Sequence, residues 1–167
     1  MGGFFPDDLE ARATLLIRRA SAAGVIISTA ESCTGGLVAA LLTEIPGSSA
    51  VVDRGFVTYS NEAKQQMLGV GSELLDRFGA VSDPVARAMA AGALTHSRAT
   101  ISVAITGIAG PGGGSEEKPV GLVHFACASP QGVKAVEKRF GDLGRRGIRE
   151  ASVAFALTLL EEAVASA

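Results

Sequence analysis

Three side chains able to act as nucleophiles stand in a row at Ser32-Cys33-Thr34, inside the stretch Thr29-Ala30-Glu31-Ser32-Cys33-Thr34-Gly35-Gly36. An apolar run, Gly24-Val25-Ile26-Ile27, precedes it, and an apolar helical pattern from Leu37 to Leu42 follows. The expected local structure is a strand, a polar turn and a helix start, with free backbone N–H groups of the new helix beside an exposed side chain. Around Thr34, Gly35 and Gly36 a ligand can approach the main chain closely. The plain alternative is an ordinary helix cap, where Ser and Thr are favoured. Cys33 is a second candidate nucleophile, because a helix start stabilises a thiolate. Neighbouring side chains at a turn, however, point in different directions.

Lys64 offers a base. It falls in or near the first turn of a helix capped by Ser60-Asn61, where the helix dipole opposes a positive charge. Burial would add to this and lower the amine's pKa. A neutral lysine can take a proton from a serine hydroxyl, so Ser32 and Lys64 can pair without a histidine or an acid. The alternative is a solvated helix lysine, the commoner state of that residue. The chain's two histidines, His96 and His124, fall at a helix end and in mid-strand, away from the polar loops, which argues against a Ser-His-Asp triad. Tyr59, the single tyrosine, sits at a predicted strand end. There it either stacks on a flat ring, relays a proton to Ser32, or is a boundary residue with one wet end.

Two further groups suit binding. The loop Thr106-Gly107-Ile108-Ala109-Gly110-Pro111-Gly112-Gly113-Gly114-Ser115 cannot be regular structure. No Gly-Lys-Ser/Thr follows it and it leads into a strand, so it is neither a Walker loop nor a dinucleotide fingerprint. Its backbone around Thr106, Gly107, Gly110 and Gly112 can still cradle an anion or a carboxamide; a floppy surface loop is the alternative. Arg145, Arg146 and Arg149 open the last helix, where arginine forks and helix N–H groups suit a phosphate, or where the charges are simply solvated. Glu31, Asp53 and Glu62 lack metal-ligand spacing and no histidine joins them. No metal and no cofactor are expected.

The elements that must position these groups follow from hydrophobic periodicity. Helices are predicted over Leu9–Ala23 (with Asp7 or Asp8 as its cap), Gly36–Glu44, Glu62–Leu68, Ser72–Phe78, Val85–Ser97 and Arg146–Ala163. Strands are predicted over Val25–Ser28, Ala50–Tyr59 with a bulge at Asp53-Arg54-Gly55, Thr100–Ile105, Val120–Ser129 and Val133–Phe140, the last two as a hairpin. With no repeat or linker, residues 1–167 read as one domain: a three-layer α/β/α sandwich around a mixed, about five-stranded sheet. Glu31–Gly36, Tyr59–Lys64 and Thr106–Lys118 all follow strands. Loops at the carboxyl ends of strands in such sheets converge on one pocket.

The chain has 167 residues, 47% of them hydrophobic, a net charge of −2 and a pI near 5.7. That is enough for a real core, and the charge argues against a broad nucleic-acid footprint. Two cysteines without a secretory segment point to a reduced, cytoplasmic setting. No run is long enough to span a membrane, the acidic N-terminus does not read as a signal peptide, and Met1-Gly2 is a poor myristoylation signal because position 6 is Pro.

Four stretches in order, Thr29 to Gly36, Gly55-Phe56-Val57-Thr58-Tyr59-Ser60-Asn61-Glu62-Ala63-Lys64, Gly79-Ala80-Val81-Ser82, and Thr106 to Gly113, resemble the C-terminal domain family of the competence/damage-inducible protein CinA. The resemblance runs from about Leu9 into the last helix, in a form standing without the molybdopterin-binding-like domain of longer bacterial members. It implies hydrolysis of the carboxamide of nicotinamide mononucleotide (NMN) to nicotinic acid mononucleotide and ammonia, in pyridine nucleotide salvage. By the same resemblance Ser32 is the nucleophile and Lys64 its base, while Tyr59 and Thr106 shape the pocket. The family's Gly-Asp-Arg is here Gly141-Asp142-Leu143-Gly144-Arg145, so Arg145 takes the arginine's place with Arg149 in reserve. The competing readings are a non-catalytic nucleotide-sensing module, an interaction domain for DNA-uptake or recombination proteins, and an amidohydrolase for another carboxamide. The expected partner is the small mononucleotide, not nucleic acid or membrane. A homodimer is expected as well, because oligomers of identical chains are common and the Ala-rich Val85–Leu94 helix offers a close-packing face.

Overall fold

The computed structural model describes residues 3–167; the Met1-Gly2 pair lies outside the described residues. Six α-helices and five strands are present among the described residues, first interleaved and then in runs of three helices and three strands before the last helix. In order they are α1 (Asp7–Ala23), β1 (Ile27–Glu31), α2 (Leu37–Glu44), β2 (Val52–Val57), α3 (Asn61–Leu68), α4 (Ser72–Phe78), α5 (Asp83–Thr95), β3 (Ile101–Gly107), β4 (Leu122–Ser129), β5 (Gly132–Arg139) and α6 (Gly144–Ala165). The sheet order is β2-β1-β3-β4-β5. β1 pairs in parallel with β2 and β3, while β3–β4 and β4–β5 are antiparallel, so the sheet is mixed. Helices α1, α2 and α6 cover one face around Leu16, Ile27, Leu41, Val103, Phe125 and Leu157. Helices α3, α4 and α5 cover the other around Ala30, Met89, Ala90, Ala104 and Ala126. This is the three-layer α/β/α sandwich expected from the pattern of elements.

Several boundaries differ from the sequence reading; β3 runs on to Gly107, so Thr106 and Gly107, read as loop, are strand residues paired with β4. β1 starts at Ile27 and runs through Glu31, because it pairs in parallel on both sides as far as Glu31. Polar Thr29 and Glu31 read as turn residues, yet both are fully buried within the strand. The cap of α1 is Pro6, with Asp7 and Asp8 already in the first turn and no side-chain capping bond. β2 is shorter than expected, preceded by a 3₁₀ turn at Ser48–Ala50.

The predicted bulge is present at Asp53. Ile27 pairs with Val52 but Ser28 with Arg54, so Asp53 is the extra residue. Its carboxylate is held by the Arg54 guanidinium (2.8 Å) and the Arg98 backbone N–H (3.0 Å). The bulge flips the alternation of the strand. Val52 packs with the α1/α2/α6 core, whereas Phe56 packs with α3, α4 and α5.

The Ala-rich face of α5 is spent inside the chain: Ala86, Ala90 and Ala93 are buried in the cluster between α5 and the sheet. The composition that suggested a self-association face is therefore explained by packing against the protein's own strands.

Candidate active site

Period-two alternation decides which side of the sheet each side chain reaches. Along β1 and the turn beyond it, Ser28 and Ala30 face α5, Glu31 faces α2, and Ser32 returns to the α3/α5 side. The Glu31 carboxylate accepts from the backbone N–H groups of Val38 (2.9 Å) and Ala39 (3.1 Å). A buried carboxylate thus closes the N-terminus of α2, where the dipole favours negative charge. The residue at the cap position itself is Gly36, with φ +101°, after Gly35 with φ +57°. Both values favour glycine. The cap reading of Ser32 and Thr34 is not what forms: neither side chain caps α2, and Thr34 Oγ1 is buried without a protein partner.

Ser60 caps α3 by accepting from the Ala63 N–H, and so sets the helix that carries Lys64. Lys64 is fully buried, not solvated. Its Nζ lies 3.1 Å from Ser32 Oγ. It donates to the carbonyl of Thr58 at 2.8 Å and, at a longer 3.5 Å, to that of Tyr59. Burial lowers its pKa from the usual lysine value. The three oxygens around Nζ suit the three N–H groups of an ammonium, and they equally suit a neutral amine that donates to the two carbonyls and accepts from the Ser32 hydroxyl, the form that burial favours. No carboxylate pairs with it among the described residues.

A cleft of about 210 Å³ opens above this pair, lined by Ser32, Cys33, Tyr59, Lys64, Ala80, Val81, Thr106, Gly107, Ala109 and Arg145. Three of the four stretches singled out in the sequence meet here with the fourth, the Gly79–Ser82 turn. Thr106 Oγ1 donates to the Ala80 carbonyl at 2.8 Å, tying β3 to that turn. Lys118 Nζ donates to the Phe78 carbonyl and pins the far end of the glycine-rich loop to the same turn. Tyr59 is 62% exposed at the mouth, and its hydroxyl accepts from Arg145 Nη2 at 3.1 Å rather than meeting Ser32. Arg145 Nη1 donates to the Gly110 carbonyl at 2.8 Å. Cys33 lines the cleft as a thiol: burial pushes its pKa up to about 11, against the thiolate expected at a helix start.

Several expected binding residues stand elsewhere. Thr34, Gly35, Gly36, Gly110 and Gly112 do not line the cleft. Arg149 does not either; its Nε donates to the Cys33 carbonyl at 3.1 Å and its Nη2 to the Thr34 carbonyl at 3.4 Å. Arg146 is exposed and pairs with Glu150. Arg145 and Arg149 also border a larger neighbouring groove of about 640 Å³, floored by Phe5, Leu9, Leu37 and Val153. Ala80, Val81 and Ala109 were not picked out as site residues from the sequence; the signal available was the Gly79-Ala80-Val81 break between two predicted helices. Among the described residues no cluster of His, Cys, Asp or Glu has metal-site geometry, and no helix is long and apolar enough to cross a membrane.

Comparison with known proteins agrees with this architecture. The sequence profile of the CinA C-terminal domain matches residues 9–164. The chain is 54% identical over 139 residues to the Escherichia coli K12 protein named nicotinamide-nucleotide amidohydrolase PncC, covering 83% of this chain and 84% of that one. It is 50% identical over 159 residues to a CinA-like protein of Parasynechococcus marenigrum, covering 95% of this chain but only 37% of that protein. It thus spans a little over a third of the CinA-like relatives it matches. A crystal structure of a competence/damage-inducible protein from Agrobacterium tumefaciens superposes with a TM-score of 0.94 at 59% identity, over 96% of this chain and 98% of that one. A CinA-superfamily structure from Escherichia coli superposes with a TM-score of 0.89 at 34% identity, over 96% and 94%.

Proposed function

We propose that this chain, which belongs to the CinA C-terminal domain family, is an amidohydrolase that converts NMN and water to nicotinic acid mononucleotide and ammonia. The observation that carries the reading is the buried Lys64 amine, 3.1 Å from Ser32 Oγ with its N–H groups directed at two carbonyls. The name carried by the PncC relative, 54% identical, points the same way.

In this reading Ser32 O–H donates to the Lys64 lone pair and Oγ attacks the carboxamide carbon. The developing oxyanion needs preset donors. The amide of Cys33, on the cleft wall, and that of Thr34 beside it donate to no acceptor among the described residues, so the turn can supply them. Lys64 passes its proton to the departing nitrogen, ammonia leaves, and an acyl group stays on Ser32. Lys64 then takes a proton from the water that attacks the ester and passes it to the departing Ser32 Oγ, which frees the carboxylate and restores the hydroxyl. A cleft of about 210 Å³ suits the pyridine end alone, since sites for whole small molecules span roughly 300–1,000 Å³. The ribose phosphate would extend past Tyr59 toward Arg145, the guanidinium at the mouth.

The test is ammonia release from NMN, with nicotinamide and NAD as alternative carboxamides. Ser32→Ala should abolish release while the fold is retained by circular dichroism. Tight NMN binding with no ammonia from the unaltered protein would point instead to a sensing module. Release from another carboxamide in preference to NMN would keep the chemistry and change the substrate.

A further inference from the structure

We infer that Arg149, five residues into α6, is a positioning residue for the nucleophile turn and not a contact for the substrate's phosphate. The inference rests on the proposed reaction only in taking Ser32 as the nucleophile. The fork of Arg149 grips two successive carbonyls of the turn, Cys33 (3.1 Å) and Thr34 (3.4 Å). Cys33 is buried, and its carbonyl has no other donor among the described residues. Removing the guanidinium would take away the donor that fixes this part-buried oxygen, leaving the peptide free to turn its carbonyl toward water.

That peptide plane matters to the chemistry at both ends. It begins at Cys33, directly after the residue whose hydroxyl must sit near Lys64. In a trans peptide the N–H lies opposite the C=O. Holding the Cys33 carbonyl toward α6 therefore turns the Thr34 N–H away from α6, and this N–H donates to no acceptor among the described residues. The rest of the turn is fixed independently: Glu31 holds the start of α2, the Gly35 N–H donates to the Ser32 carbonyl at 3.0 Å, and the Leu37 N–H to the Thr34 carbonyl at 3.0 Å. The Cys33–Thr34 peptide is the one plane of the turn whose carbonyl is held only from outside. Arg149 itself is not among the residues lining the Ser32 cleft.

The experiment compares the unaltered protein with Arg149→Met, Arg149→Lys and Ser32→Ala. Two readouts are used: NMN turnover, and the rate at which a fluorophosphonate probe forms a bond between its phosphorus and Ser32 Oγ with loss of fluoride. In Arg149→Met, kcat and the labelling rate should fall together, on the order of 10²-fold as for a small misplacement of reacting groups, while KM for NMN stays within about twofold, since an interaction used only in the transition state is lost. Free guanidinium ion at non-denaturing concentration should restore part of both, and Arg149→Lys, with one point charge in place of a fork, should lie between. A raised KM with unchanged kcat and labelling would make Arg149 a substrate contact and overturn the proposal. Should Arg149→Met not fold, Arg149→Lys decides: labelling at the unaltered rate shows the fork is dispensable. If the unaltered protein labels at Ser32 but releases no ammonia from NMN, the function reading fails and the labelling ratios still judge Arg149. If it neither labels nor turns over, both fail.

Discussion

The two faces of the sheet are built from different material. Against α1, α2 and α6 the buried residues are large: Leu16, Ile27, Leu41, Ile105, Phe125, Leu157 and Leu160. Against α5 they are mostly alanines, Ala30, Ala104, Ala126 and Ala128 from the strands and Ala86, Ala90 and Ala93 from the helix. On that thin face even serines are buried, Ser102 Oγ donating to the Ala90 carbonyl at 2.7 Å and Ser28 Oγ to the Ala93 carbonyl at 3.4 Å. The close approach continues outward: a Cβ on Gly92 of α5 would lie 2.0 Å from the Leu68 carbonyl oxygen of α3. Small residues draw α5 onto the sheet and α3 onto α5, and α3 carries Lys64. The thick face carries the bulk of the large apolar core, whereas the thin face places Lys64 within reach of Ser32.

That division can be broken or sharpened by substitution on each side. The largest effect is expected from Lys64→Met, which should lower NMN turnover about 10²–10⁴-fold, the usual range for a positioned acid–base group. Its melting temperature should hold or rise, because burial penalises the charged amine it removes. The sign follows from the lowered pKa of Lys64. Between its folded pKa and the ordinary lysine value of about 10.4, the unfolded chain binds more protons than the folded one. Lys64's own contribution to stability therefore rises with pH across that window and is least favourable below it, while the Cys33 thiol, raised to about 11, works the other way above the ordinary thiol range. Denaturant melts over a pH series should show that slope in the difference between the unaltered protein and Lys64→Met, where the cysteine contributions cancel. In kcat/KM, the acid limb should rise with pH through the same lowered value. A limb at the ordinary lysine pKa would contradict a buried neutral base.

On the thick face, Leu157→Ala should cost about 2–5 kcal/mol of stability by cavity formation, with kcat of the folded protein unchanged. Chemical denaturation and steady-state kinetics separate the two. On the thin face, Gly92→Ala should also cost stability, at least about 1–3 kcal/mol from overpacking against backbone, and in addition should lower kcat, because α3 must move. If Gly92→Ala loses stability but keeps full turnover, the thin face does not position Lys64 and the contrast between the faces is only one of packing.

The Ser32–Lys64 pair was legible because its members carry chemistry in their side-chain types and sit on the stretches resembling the family. The burial of Lys64 was not, since nothing in an eight-residue helix of mixed composition announces which lysine turns inward. Thr29 and Glu31 were read as turn because buried polar residues are uncommon; Glu31 finds its partners seven and eight residues on, across the very turn that hid them. Arg149 was read as a phosphate ligand because arginines at a helix start suit anions. In the structure it donates to carbonyls more than a hundred residues away in sequence. The Gly79–Val81 wall offered only small apolar side chains and one backbone carbonyl, which carry no chemical signature.

The single surplus residue of β2 sets how this chain can change in length. Deleting Asp53 alone would restore regular pairing with β1 and send Phe56 and the Thr58 side chain through to the α2 side, dragging the start of α3 away from Ser32. An insertion of several residues among the exposed positions from Pro111 to Glu117 would be borne far more easily, as loop closure costs little per added residue. Losing one codon in the strand should therefore be less tolerable than gaining several in the loop.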